Sequence, residues 1–195
     1  MTGLGPSGTI RRTTLRLLAS ILLPTLLPAV HAQQGDAAVL ERRVKAAFLY
    51  KFVGYIAWPD TAFAQPDSPV VIGVMGDELL AAELAEVVSG RTVDGRPLSV
   101  RLVRDTESLA GVHLLFVARS ENARLATLAR VTGGQPLLLV SEAEGALDHG
   151  SMINFVMSGG RLKFDVAPDA AEKRGVKLSS RLLTVAQKVR TSTTP

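Results

Sequence analysis

The side chains able to do chemistry are few and widely spaced. Two histidines, His113 and His149, lie far apart in sequence, and the third, His31, falls in the N-terminal leader. Asp148 and His149 could pair only through a local turn. Ser151 follows them without the strained strand-to-helix turn that exposes an acyl-transfer nucleophile. Ser179 and Ser180 are better placed as helix caps. The carboxylates Asp60, Asp67, Asp94, Asp148, Asp165 and Asp169 lack the spacing of a calcium loop or a metalloprotease helix. Gly73, Gly76 and Asp77, in IGVMGDELL, match neither a dinucleotide fingerprint nor a phosphate-binding loop. Asp77 reads instead as an N-cap, followed by Glu78 in the first turn. The chain has no cysteine, which removes thiol catalysis and thiolate metal sites. Neither a catalytic constellation nor a cofactor motif emerges, and the expectation is a protein that is not an enzyme and carries no cofactor.

The elements that must position these residues begin with a targeting segment. Arg11, Arg12 and Arg16 precede or enter an apolar run from Leu17 to Val30, and Val30-His31-Ala32 is a small-residue cleavage site. Residues 1–32 therefore read as a signal peptide cleaved after Ala32, with an uncleaved N-terminal anchor as the alternative, 33–190 as a single domain and 191–195 as a flexible tail. Of the 22 Lys+Arg, three lie in the leader, as do none of the 18 Asp+Glu, so the mature chain carries 19 basic and 18 acidic residues. No basic block remains to hold a nucleic acid. No later apolar stretch is long enough to cross a membrane, so no stable insertion is expected after cleavage. About 160 mature residues suit one domain with a sizeable core, which must hold without disulfides.

From Asp36 to about Tyr55 the chain reads as a helix, with Leu40, Val44, Phe48 and Phe52 recurring four apart. It should end before Trp58-Pro59. Tyr50, Tyr55 and Trp58 concentrate the scarce large aromatics there, as core or as a binding surface. Val70–Met75, Leu98–Val103, His113–Val117 and Pro136–Val140 read as strands, and Glu78–Val88 and Ser120–Val131 as helices. Asp105–Ala110 reads as a short helical turn. Ser151–Met157 and Arg161–Ala167 form a hairpin about Gly159-Gly160, pairing Met157 with Leu162, Phe155 with Phe164 and Ile153 with Val166. Its second face carries Asn154, Val156, Lys163 and Asp165. Pro168 opens a short helix that Gly175 closes, and Ser179 caps a last helix with Leu182, Leu183, Ala186 and Val189 inward. The fold class is α/β: a three-layer sandwich around a mostly parallel mixed sheet, with the C-terminal β-hairpin at its edge and a closing helix.

Taken together, KAAFLYKFVGYIAWP at 45–59, VVIGVMGD at 70–77, HLLFVARS at 113–120 and GSMINFVMSGGRLKFDVAPDAAEKRGVKLSSRLLTVA at 150–186 resemble the YfiR/DUF4154 family of exported bacterial proteins. The resemblance implies a periplasmic regulator that binds and restrains the sensory region of an inner-membrane diguanylate cyclase, lowering cyclic-di-GMP. A related membrane sensor is an alternative partner, and a homodimer would suit a dimeric cyclase. Candidate protein-binding residues are Tyr50, Tyr55 and Trp58, or the polar hairpin face with Asn154, Lys163 and Asp165. The alternative reading is a periplasmic small-ligand-binding module coupled to another sensor or transporter. Two departures stand out. The characterised type uses cysteines for redox-sensitive control, which this chain lacks, and Val166-Ala167 stands where the family usually has Ile-Asn.

Overall fold

The computed structural model describes residues 29–106 and 109–191. The leader therefore falls outside the described residues up to position 28, as do the tail from 192 and two residues of the expected turn at 105–110. The first helix, α1 (Ala29–Val53), begins earlier than its apolar stripe and ends two residues sooner than expected. Gly54 and Tyr55 close it with bonds back to the carbonyls of Lys51 and Phe52.

After α1 come β1 (Ile56–Ala57), β2 (Val70–Met75), α2 (Glu78–Val88), β3 (Thr92–Val93), β4 (Arg96–Leu102) and β5 (Leu114–Val117). These are followed by α3 (Asn122–Val131), β6 (Leu138–Ser141), β7 (Ile153–Ser158), β8 (Arg161–Val166) and α4 (Pro168–Glu172). The described chain closes with β9 (Lys177–Leu178), α5 (Ser180–Val185) and β10 (Lys188–Val189). The main sheet runs β10-β8-β7-β6-β5-β2-β4-β3, and β1 pairs with β9 beside it. The five strands β4, β2, β5, β6 and β7 are parallel, β8 and β3 run against their neighbours, and β10 lies parallel to β8.

Alternation along the strands divides the core in two. Val70, Ile72, Val74, Leu114, Phe116, Leu138, Val140, Ile153 and Phe155 face α1 and α2. Val71, Met75, Leu115, Val117, Leu137 and Leu139 face α3 with Leu125 and Leu128. Each strand buried on both faces reads as a continuous apolar run, which is why β2, β5 and β6 were legible as parallel strands. Phe48 and Phe52 of α1 meet Phe155 and Phe164 of the hairpin at centroid separations of 4.9 to 5.9 Å, so the helical stripe and the hairpin face form one aromatic cluster.

Two expectations are corrected. The hairpin is not the sheet edge, because β10 pairs with β8 outside it. The last helix also stops at Val185, and Val189 is a strand residue opposite Val166 instead of an inward helical position. Leu182 does turn inward, and Ser179 caps the helix through Leu182 N at 3.3 Å. A helical period over so short a segment cannot be told from a turn of helix followed by a strand, and the free edge of β8 decides it.

Candidate functional site

The candidate aromatic residues sit toward the C-terminal end of α1. Tyr50 is half-buried, with the Arg91 guanidinium 4.8 Å from its ring centroid and Arg91 Nη1 donating to its hydroxyl at 3.4 Å. Tyr55 is 38% exposed, and its backbone carbonyl accepts from Ser179 N. Trp58 is half-buried; its Nε1 donates to the carbonyl of His113 at 3.2 Å and its ring stands edge-on to the imidazole. Trp58 thus fastens the segment after α1 onto the start of β5, while Tyr55 keeps the most accessible ring of the three.

His113 is buried and fully used. Val71 N donates to its Nδ1 at 3.1 Å, which leaves Nε2 to donate to the carbonyl of Ala62 at 3.1 Å. The imidazole is therefore the neutral Nε2–H tautomer. Phe63 stacks on it at 4.6 Å, and the Arg96 guanidinium lies 3.7 Å from the Phe63 centroid. Burial pushes the His113 pKa down; the Ala62 carbonyl opposes this, and the positive charges of Arg96 and Arg101 add to the depression. Three other chemical candidates are likewise occupied. Asp148 pairs with Arg190, Ser151 Oγ is buried against the carbonyls of Leu139 and Ile153, and Asp77 Oδ1 caps α2 at Leu80 N. Among the described residues no group of three or more His, Cys, Asp or Glu could hold a metal ion.

The polar hairpin face lies elsewhere, at the carboxyl ends of the parallel strands. Asn154 stands opposite Asp165, and Val156 opposite Lys163. Asn154 is only 6% exposed, and its Nδ2 donates to the carbonyl of Ala143 at 3.1 Å. Its Oδ1 has no partner among the described residues, nor does Asp165 Oδ1. Lys163 is exposed. β7 runs on past the end of β6, and the overhanging hairpin forms one wall of a cleft of about 560 Å³. Lining it are Asn154, Val156, Met157 and Leu162 from the hairpin, with Glu41, Arg119, Asn122, Glu142 and Glu144 facing them.

Sequence reasoning missed these last five. Their signal was position: Arg119, Asn122, Glu142 and Glu144 follow the carboxyl ends of β5 and β6, where open parallel sheets take ligands. Lys45, buried in α1, pairs with Glu41 at 2.6 Å and with Glu142. Burial opposes the ammonium charge, but the hydrogen-bonded carboxylates of Glu142 and Glu41 outweigh it and hold the Lys45 pKa above its ordinary value. The backbone N–H of Arg119 also donates to Glu142 Oε1 at 3.3 Å, and Arg119 Nη2 donates to the Glu142 carbonyl at 3.3 Å.

With these two regions placed, the comparison with known families is decisive. The sequence profile described as YfiR/HmsC-like (DUF4154) matches residues 42–187, nearly the whole of the described fold. The chain belongs to the YfiR/HmsC-like family. Its members are exported, non-catalytic regulatory proteins associated with diguanylate-cyclase signalling, and this YfiR/HmsC-like protein is periplasmic. No individual curated protein matches the chain. No described helix is long and apolar enough to cross a membrane.

Proposed function

We propose that this protein binds the periplasmic sensory region of an inner-membrane diguanylate cyclase, or of a related sensor, and restrains it, lowering cyclic-di-GMP output. Family membership across residues 42–187 carries the reading. The surface is compatible with protein binding: Tyr55 is exposed at the end of α1, and the helix's apolar stripe runs out past the core at Leu40, which is 63% exposed. Partly exposed aromatic rings give large contact area at low entropic cost, so Tyr55 leads the candidate surface, with Tyr50 and Trp58 holding its frame. The polar hairpin face is the second candidate, through the exposed Lys163 and the half-buried Asp165, Asn154 being buried at 6% exposure. A twofold dimer of this chain would match a twofold cyclase. Restraint requires only that the protein bind the inactive state of the cyclase more tightly than the active one.

Deleting the gene should raise cyclic-di-GMP, and an exported copy should lower it again. A copy trapped in the cytoplasm should fail to do so. Tyr55→Ala, checked for an unchanged melting transition, should weaken restraint. If deletion leaves cyclic-di-GMP unchanged while the protein and a candidate cyclase are both produced, the reading fails for that pair.

A further inference from the structure

We propose that the segment from Trp58 to Ser68 is a clasp that acid opens, shut while the His113 imidazole is neutral and released when it is protonated. The segment joins β1 to β2, and none of its residues is buried. Hydrogen bonds and ring contacts hold it. Trp58 Nε1 donates to the His113 carbonyl at 3.2 Å, His113 Nε2 donates to the Ala62 carbonyl at 3.1 Å, and Phe63 stacks on the imidazole. Arg96 Nη1 donates to the carbonyls of Gln65 and Ser68, each at 3.1 Å, and its guanidinium lies over the Phe63 ring. One imidazole and one guanidinium thus grip the segment at its middle and its end.

The imidazole can do this in one charge state only. Its Nδ1 accepts from Val71 N at 3.1 Å, and a proton on Nδ1 would set two N–H donors against each other. The backbone is fixed on both sides: His113 N donates to the Val71 carbonyl at 2.9 Å, and Leu138 N to the His113 carbonyl at 2.9 Å. The protonated ring must therefore turn out of its seat, which breaks the bond to Ala62 and the stack on Phe63. Trp58 keeps its bond, since that bond ends on the backbone, so release begins at Ala62.

The surroundings do not favour the imidazolium. Arg96 and Arg101, both on β4, repel it. β2 and β5 carry no charged residue, and Gln135 and Pro136, which share a pocket wall with His113, are neutral. The nearby carboxylates, Asp60 and Asp67 on the clasp and Asp105 on the chain leading to β5, are exposed to solvent. In the closed state burial, with the two guanidinium groups, outweighs the opposing pull of the Ala62 carbonyl and keeps the pKa below the ordinary 6.5. A ring released into water returns toward that ordinary value. Protonation therefore favours the open state, and below about pH 6.5 the open-to-closed ratio rises by up to about tenfold per pH unit. The clasp adjoins Tyr55 through Trp58, so its opening alters the rim of the proposed binding surface. That consequence rests on the restraint reading, whereas the clasp itself is read on the purified protein alone.

The test is an NMR titration of the purified protein from about pH 8 to about pH 4.5, following the ring nitrogens of His113 and the backbone amides. Near neutral pH, Nδ1 should show as the unprotonated acceptor. As the ring gains its proton, the amides of Ala62, Phe63, Ala64 and Val71 should shift with the same midpoint, below about pH 6.5. Heteronuclear NOEs from Ala62 to Ala64 should fall as that stretch becomes mobile. The amides of Leu115 and Leu139 and the far-ultraviolet circular dichroism should stay constant, which separates release from unfolding. His113→Asn keeps an acceptor for Val71 N but has no proton to gain, and should abolish the transition. If His113→Asn does not fold, the shared midpoint in the unaltered protein decides the matter. The proposal is overturned if the ring titrates with the clasp amides unmoved, or if all amides change together. It is equally overturned if the ring stays neutral down to about pH 4.5, or if folded His113→Asn keeps the transition.

Discussion

Replacing Gly159 and Gly160 together by valine tests whether their turn holds the hairpin in register. Gly159 and Gly160 have φ of 57° and 71°, the two consecutive left-handed positions of a type I′ turn. A Cβ at either site would meet nothing within 4 Å, so any penalty comes from the backbone and not from a clash. A left-handed conformation costs an L-residue about 1–3 kcal/mol, with β-branched side chains at the upper end. Two valines then cost about 3–5 kcal/mol, less about 1 kcal/mol recovered from a stiffer unfolded chain. In urea, with a slope of about 2 kcal/mol per molar, the unfolding midpoint should fall by roughly 1–2 M. Gly159→Asn is the control, since asparagine tolerates a positive φ, and it should shift the midpoint little. A one-residue slip would turn Phe155 and Phe164 away from Phe48 and Phe52, so the variant should also lose near-ultraviolet aromatic signal. An unchanged midpoint in the valine variant, or equal damage from Gly159→Asn, would refute the reasoning.

Three further perturbations follow from the hydrogen-bond network. The depressed pKa of His113 means that its protonation favours unfolding: stability should be fully present above about pH 6.5 and decline as pH falls toward the lower folded value, and His113→Asn should flatten that slope between pH 7 and 5 in denaturant titrations. An unaltered slope would show that another group titrates. Arg174 donates to the carbonyls of Ala129 and Thr132 at 2.7 and 3.1 Å and to Thr132 Oγ1 at 2.9 Å, closing the C-terminus of α3, so Arg174→Met should cost about 2–3 kcal/mol; a loss under about 0.5 kcal/mol would contradict that role. Lys45→Met leaves Glu142 and Glu41 facing each other and should cost about 1–3 kcal/mol, discounted because Glu41 is partly solvated, with part of the loss recovered in Lys45→Met/Glu142→Gln; a double variant no better than the single would exclude charge as the cause.

The layers and the hairpin register were legible because each rests on a local pattern. Buried strands announce themselves as apolar runs, and Gly159-Gly160 permits a turn that puts Met157, Phe155 and Ile153 opposite Leu162, Phe164 and Val166, as found. What escaped depended on partners distant in sequence. Val189 follows a helical spacing from Leu182, but the unpaired edge of β8 draws Lys188-Val189 into a strand, with Arg190 N bonded to the Val166 carbonyl at 2.7 Å. Trp58 carried no local sign that its indole would meet the carbonyl of His113, 55 residues on. The same holds for the cleft, where Glu41, Asn122 and Asn154 converge from three separate elements.

Strand order explains why the cleft is not where the sequence first directed attention. Numbered along the chain, the parallel strands reverse direction between β2 and β5, with α2 on one face and α3 on the other, and ligands commonly bind outside such a reversal. Gly73, Gly76 and Asp77 lie on that strand and at its carboxyl end. Yet a Cβ on Gly73 would come within 2.9 to 3.1 Å of Leu115, Val112 and Val103, which makes it a packing glycine. Gly76, at φ 84°, lies against Ser120 and Glu121, where an added Cβ would approach Ser120 Oγ and Glu121 Cγ to 2.7 Å; Ser120 Oγ itself donates to the Gly76 carbonyl at 3.3 Å. The turn after β5 therefore folds down onto the point of reversal and narrows it. Farther along the sheet, β6 stops at Ser141 while β7 continues to Ser158, and the residues that follow β6, Glu142, Ala143 and Glu144, line the step between them. The cleft of about 560 Å³ opens at that step, where the strand lengths differ, and α1 reaches its wall at Glu41 on its way to Tyr55. A single helix thus contributes both a carboxylate to the cleft and the frame of the aromatic surface, with Phe48 and Phe52 packed on the hairpin between them.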